Sequence, residues 1–272
     1  MGGVYLLIGI GLTLIFGVIK VVNFAHGSFM TVAMYTTLWL FNRFELDPYL
    51  SILINIPIIF ILGYVVQRLL INPILEAPHL NQLLLTLGLL LIIENTLLYF
   101  KGADPLTMRL GYSIQSLRAG GLILSIPRLI TLGVALLYAG LLYLFLARTE
   151  TGRAIRATAS DRQAASSVGI NVKLMYALAF GIGSTCVGVA GAIIMIFFYV
   201  HPYVGHTFLL LAFVIVIIGG LGSIFGAFVS GLLIGMIDTF GATFLPGTSG
   251  RMLIFATLIV VLLFRPTGLF KR

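Results

Sequence analysis

The chain has 272 residues, 60% of them hydrophobic and 9% charged, with a mean hydropathy of +1.15 and a formal net charge of +8. Soluble domains carry roughly 25% charged residues, so this composition excludes a water-facing globular surface and makes lipid the solvent. The cations sit between apolar segments without aromatic interleaving. That excludes nucleic acid as their partner and reserves them for orientation, lipid headgroups or a cytosolic protein.

A bilayer core takes about 20 apolar helical residues. The first such span is Val4–Val22, with no cation ahead of it, so it is expected to act as its own insertion signal and not as a cleaved leader. Asn23-Phe24-Ala25-His26-Gly27 then interrupts the apolar run before Phe24–Phe41. Polar residues at such a break line a cavity or satisfy freed backbone groups, because lipid does neither. Asn23 has the amide to bridge unwound backbone, and His26 is a candidate for the pathway or the cytosolic gate, with Gly27 beside it. A plain turn packed against neighbouring helices is the competing reading, and the residues alone do not choose. No His, Cys or carboxylate lies at ligand spacing from His26, so no metal site is expected; the single Cys186 lies in an apolar segment and allows no intrachain disulfide.

Tyr49–Val66 and Gln82–Phe100 follow. The second carries Glu94, an intramembrane carboxylate that costs on the order of 3 kcal/mol on insertion scales and therefore faces a cavity or a partner. A contact with a substrate ammonium, assisted by Asn95 and Thr96, stands against a protonated carboxyl bonded to a neighbouring helix. Lys101–Ile126 is rich in glycine and short of apolar runs, which predicts a small hairpin or an interfacial helix outside the membrane. Pro127–Leu146 is the next span.

Arg148–Lys173 holds five of the sixteen Lys and Arg residues (Arg148, Arg153, Arg156, Arg162 and Lys173). Within it Ser160-Asp161-Arg162-Gln163 reads as a capping box, with Ser160 as N-cap and Gln163 reaching back. Gly169 supplies a left-handed C-cap. A helix of about two turns, Asp161–Val168, is predicted between them, with Ala164, Ala165 and Val168 as a small apolar face beside Arg162; Gly152 is expected to close the preceding span. A helix this short is marginal alone in water, so it needs a partner or the membrane surface. A merely solvated basic loop is the alternative.

Leu174–Tyr199, Phe208–Gly219, Ala227–Phe240 and Met252–Phe264 complete the candidates. Two of these, Phe208–Gly219 and Ala227–Phe240, are short enough to be half-spanning, re-entrant or parts of one broken element, which gives eight to nine crossings in an all-α polytopic membrane protein. Gly181, Ser184, Gly188, Gly191 and Ala192, then Gly222, Gly226, Ser230 and Gly231, recur at three- and four-residue spacing, which allows close helix approach. The Gly219-Gly220-Leu221-Gly222 cluster is a candidate hinge or re-entrant turn. His201 and His206 are read as residues of an interfacial loop, and Asp238 as lying near a span end.

With the basic loop inside, Lys20, Arg68, its five cations, Arg265, Lys271 and Arg272 make ten inside, against six outside (Arg43, Lys101, Arg109, Arg118, Arg128 and Arg251). This bias predicts an external N-terminus and a cytoplasmic C-terminus. No GxxxxGK[ST] occurs, so ATP hydrolysis by a P-loop is not expected of this chain.

Four segments carry a family resemblance. Gly11–Met30 (GLTLIFGVIKVVNFAHGSFM), the loop segment GRAIRATASDRQAASSVGINV, Val216–Ala227 (VIIGGLGSIFGA) and Phe264–Leu269 (FRPTGL) resemble, in this order, motifs of the branched-chain amino acid ABC transporter permeases. NFAHG and the C-terminal RPTG favour the LivH-like branch over the LivM-like one. One departure is that family members carry an apolar lead-in before a GxxYxLxAxGL segment, where this chain opens on Met1-Gly2-Gly3-Val4-Tyr5. The resemblance implies one transmembrane permease domain over residues 1–272, in the bacterial or archaeal cytoplasmic membrane. It further implies a second permease (LivM-like, or a second copy), two cytosolic ATPases that bind the ATP and magnesium, and an extracytoplasmic binding protein. The segment from Ser160 to Gly169 would be the coupling helix seated in the ATPase, and no cofactor is expected on this chain. The same fold importing urea or short-chain amides is the nearest alternative. A self-contained secondary transporter would need inverted repeats and more intramembrane charge. A membrane hydrolase would need a nucleophile–base pair or a metal cluster, which four scattered histidines do not supply.

Overall fold

The computed structural model describes residues 1–113, 115–119, 122–244 and 249–270. The apolar runs fold as helices α1 (Gly2–Ile19), α2 (His26–Phe44), α3 (Pro48–Val66), α4 (His79–Lys101), α5 (Ile126–Arg148), α8 (Val172–Ile194), α9 (Val204–Gly219), α10 (Ile224–Phe244) and α11 (Ser249–Phe264). Two cytosol-type helices, α6 (Glu150–Ser160) and α7 (Arg162–Ser167), lie between α5 and α8. The α3 helix runs on through a π-helical turn, Gln67–Ile71, and a 3-10 turn, Asn72–Ile74.

Packing sorts these helices into a centre and a rim. Nearly every residue of α1 and α8 is buried, and the two pack on each other. Small residues of α8 let its neighbours approach: Gly181, Ser184 and Gly188 face Gly63, Phe60 and Ile59 of α3, and Gly191 faces Met30 and Ala33 of α2. By contrast α3, α4 and α5 each bury one narrow face and present Leu53, Ile61, Leu69, Ile92, Leu137 and Leu141 outward. An apolar exterior around a buried centre is what a lipid solvent requires.

The loop between α4 and α5 forms a hairpin, β1 (Ser116–Ala119) with β2 (Leu122–Ser125), in antiparallel register Ser116 to Ser125. It is anchored to the helices by Tyr112, whose hydroxyl donates to Asp47 Oδ2 at 2.6 Å, while Asp47 Oδ1 caps α3 by accepting from the Tyr49 amide at 2.8 Å. Burial and the Asp47 carboxylate both push the Tyr112 phenol above its ordinary value.

Several sequence expectations change here. The short apolar segments are two separate helices, longer than expected: α9 starts at Val204 and α10 runs to Phe244. The basic loop holds two helices where one was expected. Gly152 does not close α5. It lies in the first turn of α6, and Thr149 caps that turn by accepting from the Gly152 amide at 3.0 Å. A Cβ at Gly152 would come within 2.5 Å of the Phe145 carbonyl, so glycine lets the chain fold back tightly on α5. Lys271 and Arg272 lie outside the described residues.

Candidate functional site

The first break is a re-entry to mid-helix depth. Lys20 ends α1 in the left-handed region (φ 60°), and the chain returns beside α1 before α2 begins. His26 marks the height reached: its Nε2 lies 3.2 Å from the Ile8 carbonyl, so the imidazole donates into the middle of α1. Asn23 is fully buried and its Oδ1 accepts from the Ala25 amide at 3.0 Å. Thr86 of α4 donates to the Val22 carbonyl at 3.2 Å. Side chains thus satisfy backbone that the missing helical turn leaves free. The His26 ring is fully buried between α1 and α8 in this chain. Gly27 packs against α9. It is where α2 crosses α9 on Gly205, with a Cβ there meeting the Gly205 carbonyl carbon at 2.8 Å.

Glu94 meets a partner that the sequence reading missed. It belongs to a stripe of α4 at four-residue spacing (Gln82, Thr86, Leu90, Glu94) that is all α4 buries. Nε2 of His206, in the first turn of α9, lies 2.9 Å and 3.1 Å from the two Glu94 carboxylate oxygens. The carboxylate side chain is 2% exposed and the imidazole 50%, so the pair is shielded on one side and open on the other. Asn95 does not assist: it is exposed and donates to the Leu91 carbonyl of its own helix at 2.8 Å. His206 is a residue of α9, not of a loop. Its one sequence signal was a histidine just ahead of an apolar run, which carries no partner information.

The second break joins α9 to α10 at the level of the α1 C-terminus. Gly220 (φ 93°) and Gly222 (φ 87°) make the turn, conformations that only glycine adopts without strain. Gly222 packs on Gly17, while the tail crosses Gly220 through Gly268 and donates from the Leu269 amide to the Ile218 carbonyl at 2.8 Å. Gly219 is outside the turn, as the last residue of α9, where it crosses Gly226. Segments Val216–Ala227 and Phe264–Leu269, far apart in sequence, therefore form one assembly with the end of α1.

The basic loop presents the fourth element. The capping box is not formed: Ser160 is the last residue of α6, and Asp161 is the N-cap of α7, its Oδ1 accepting from the Gln163 and Ala164 amides at 2.8 Å and 3.0 Å. A carboxylate serves this position better than a hydroxyl, since it also meets the positive end of the helix. The C-terminus is a Schellman closure: the Gly169 amide donates to Ser166 O at 3.0 Å and the Ile170 amide to Ala165 O at 3.1 Å, with Gly169 at φ 86°. Ala165 is buried, whereas Val168 is 77% exposed. Arg162 pairs with Glu76 across 3.2 Å at the surface, which adds little stability but ties α7 to the connection between α3 and α4.

These features define a polytopic, helical membrane protein with a polar break after α1, a glycine turn between α9 and α10, and a capped helix projecting from one end. Comparison with known proteins narrows the class. The family described as branched-chain amino acid transport system, permease component, matches residues 1–262, and the chain belongs to this family. It is 30% identical to the high-affinity branched-chain amino acid transport system permease protein BraD of Pseudomonas aeruginosa, over all of this chain and 93% of that protein. It is 29% identical to LivH of Escherichia coli (strain K12), over all of this chain and 92% of LivH. A probable LivH of Methanocaldococcus jannaschii is 29% identical over 97% of this chain and 87% of that protein. No solved structure matches the chain significantly. The protein is a permease subunit of an ABC importer, of the LivH-like kind.

Proposed function

We propose that this subunit forms part of the membrane pathway for branched-chain or related amino acids, switched between outward- and inward-facing states by partner ATPases. The observation that carries this reading is α7: a helix of six residues, closed at both ends by its own caps, that leaves an apolar side chain, Val168, uncovered. A helix this short is marginal alone in water, and a covering protein would hold it. In this reading α7, from Asp161 to Gly169, seats in a cytosolic ATP-binding subunit, and two such subunits hold the ATP and magnesium. A second permease, LivM-like or a copy of this chain, completes the pathway, and an extracytoplasmic binding protein delivers the solute. The cytoplasmic membrane is the site of action, with the α7 end and the C-terminus on the cytosolic side, following the excess of cations there. Gly220 and Gly222 are the hinge candidates.

Reconstitution of the subunit with its two ATPases, partner permease and binding protein in liposomes tests this. ATP-dependent uptake of leucine is the expected result. Uptake of urea but not leucine transfers the reading to the amide alternative, and uptake without ATPases overturns it.

The Glu94–His206 pair is the proposed polar contact on the pathway. Its open side offers the half-exposed His206 imidazole to a zwitterion, with the buried Glu94 carboxylate behind it. A hydrogen bond to a charged group contributes about 1.5–3 kcal/mol, so Glu94→Gln and His206→Gln are each expected to slow uptake about tenfold or more in assembled complex. Unchanged uptake per assembled complex, with a lowered melting temperature, would make the pair purely structural.

A further inference from the structure

We propose that the cytoplasmic end of α3 and the start of α8 form a binding site for one anionic phospholipid headgroup. A cavity of about 590 Å³ opens there, lined by Tyr64, Arg68, Asn72, Asn171, Lys173 and Leu174, with Pro73 and Ala177 completing its wall. Its polar side chains are arranged as donors. Asn72 Oδ1 is occupied by the Gln67 amide at 3.1 Å, and Asn171 Oδ1 by the Leu174 backbone amide at 3.1 Å, so both side-chain NH2 groups are left for a ligand. Arg68 Nη1 donates to the Tyr64 hydroxyl at 2.9 Å, and its guanidinium lies 5.9 Å from that ring's centre, which fixes one cation at the mouth. Lys173 brings the second cation from a different helix, and among the described residues no carboxylate lines the cavity. A held guanidinium, a second cation and several donors without an acceptor of opposite charge match a phosphate diester.

The occupant is a lipid and not a soluble anion, because the cavity continues an exposed apolar stripe. Leu53, Ile54, Ile58, Ile61, Val65 and Leu69 run down the outer face of α3 and its π turn to Arg68. Acyl chains along that stripe place a headgroup at the cavity mouth, at the depth where Tyr and Arg side chains belong in a bilayer. Anionic lipids are concentrated in the cytoplasmic leaflet, the side proposed for this end. The inference does not depend on the transported solute. A lipid here would brace Asn171 and the α8 N-terminus, two residues beyond the Gly169 closure of α7.

The test uses the full chain in nanodiscs of phosphatidylcholine with increasing phosphatidylglycerol, with retained lipid measured by native mass spectrometry. Preferential retention of one phosphatidylglycerol is expected. Arg68→Gln and Lys173→Gln should each lower its affinity about fivefold, near the contribution of one surface cation. Lys173→Arg should retain it, and Arg43→Gln, at the opposite end, should change nothing. Equal retention of both lipids, or undiminished retention by Lys173→Gln, would overturn the proposal. Displacement of the lipid by millimolar inorganic phosphate would overturn it in favour of a soluble anion. Should Arg68→Gln fail to insert, the Lys173 variants alone decide.

Discussion

Ala165→Pro is expected to abolish ATP-driven uptake while leaving the chain inserted in the membrane. The Ala165 amide makes the first ladder bond of α7, to the Asp161 carbonyl at 3.1 Å, and proline removes it and crowds the same carbonyl. The cost is about 3 kcal/mol, and a helix of six residues has no further turns to absorb it. The chosen position matters. Ala164→Pro is the milder change, because the Ala164 amide is held by the Asp161 side chain in the first turn, where proline is tolerated. Asp161→Ala should fall between the two, since losing an N-cap costs about 1 kcal/mol. Val168→Ser separates shape from contact: the helix stays closed, but the exposed apolar group is gone. Burying a valine contributes about 1.5–3 kcal/mol, so co-purification of the ATPases should weaken about tenfold or more. Wild-type uptake by Ala165→Pro would sink the coupling role of α7, and unaltered ATPase attachment by Val168→Ser would place the contact elsewhere.

The helices were legible because hydropathy and length report them directly: each of the nine apolar segments falls on a helix among the described residues, and six of these helices are long and apolar enough to cross a membrane. The polar break at Asn23 was legible for the same reason, since an amide in an apolar run demands a backbone partner, and Ala25 is that partner. What the break does was not legible. Whether His26 faces an opening or a carbonyl depends on how far the chain climbs back along α1, a tertiary quantity. The α6 helix escaped because its sequence, ETGRAIRATAS, is polar and buries only Gly152, Ile155 and Thr158. Its existence displaced the N-cap: with Ser160 consumed by α6, the next residue able to accept two amides is Asp161. The Glu94–His206 pair joins residues 112 apart in the chain, and no local pattern in either segment points to the other.

Gly27→Val is expected to prevent assembly of a folded subunit, and Gly205→Val to do the same. At this crossing of α2 and α9 the two backbones meet without intervening side chains. A Cβ at Gly205 would come within 2.7 Å of the Gly27 carbonyl group and 2.8 Å of Thr31 Oγ1. The obstructing atoms are mainly backbone, so no rotamer change relieves them, and overpacking of a rigid contact costs about 1–3 kcal/mol or more. Separating the helices would also pull on the His26–Ile8 bond one residue away. The control is internal to the chain. Gly88 in α4 and Gly133 in α5 have open space where a Cβ would stand. Alanine there should be neutral or stabilising by up to about 1 kcal/mol, from helix propensity alone. Yield of monodisperse protein and its melting temperature in detergent measure both sets. Normal folding of Gly27→Val would mean that the two helices do not cross at Gly27 and Gly205. Loss of folding in Gly88→Ala would mean that α4 is buried against a neighbour that this chain alone does not provide.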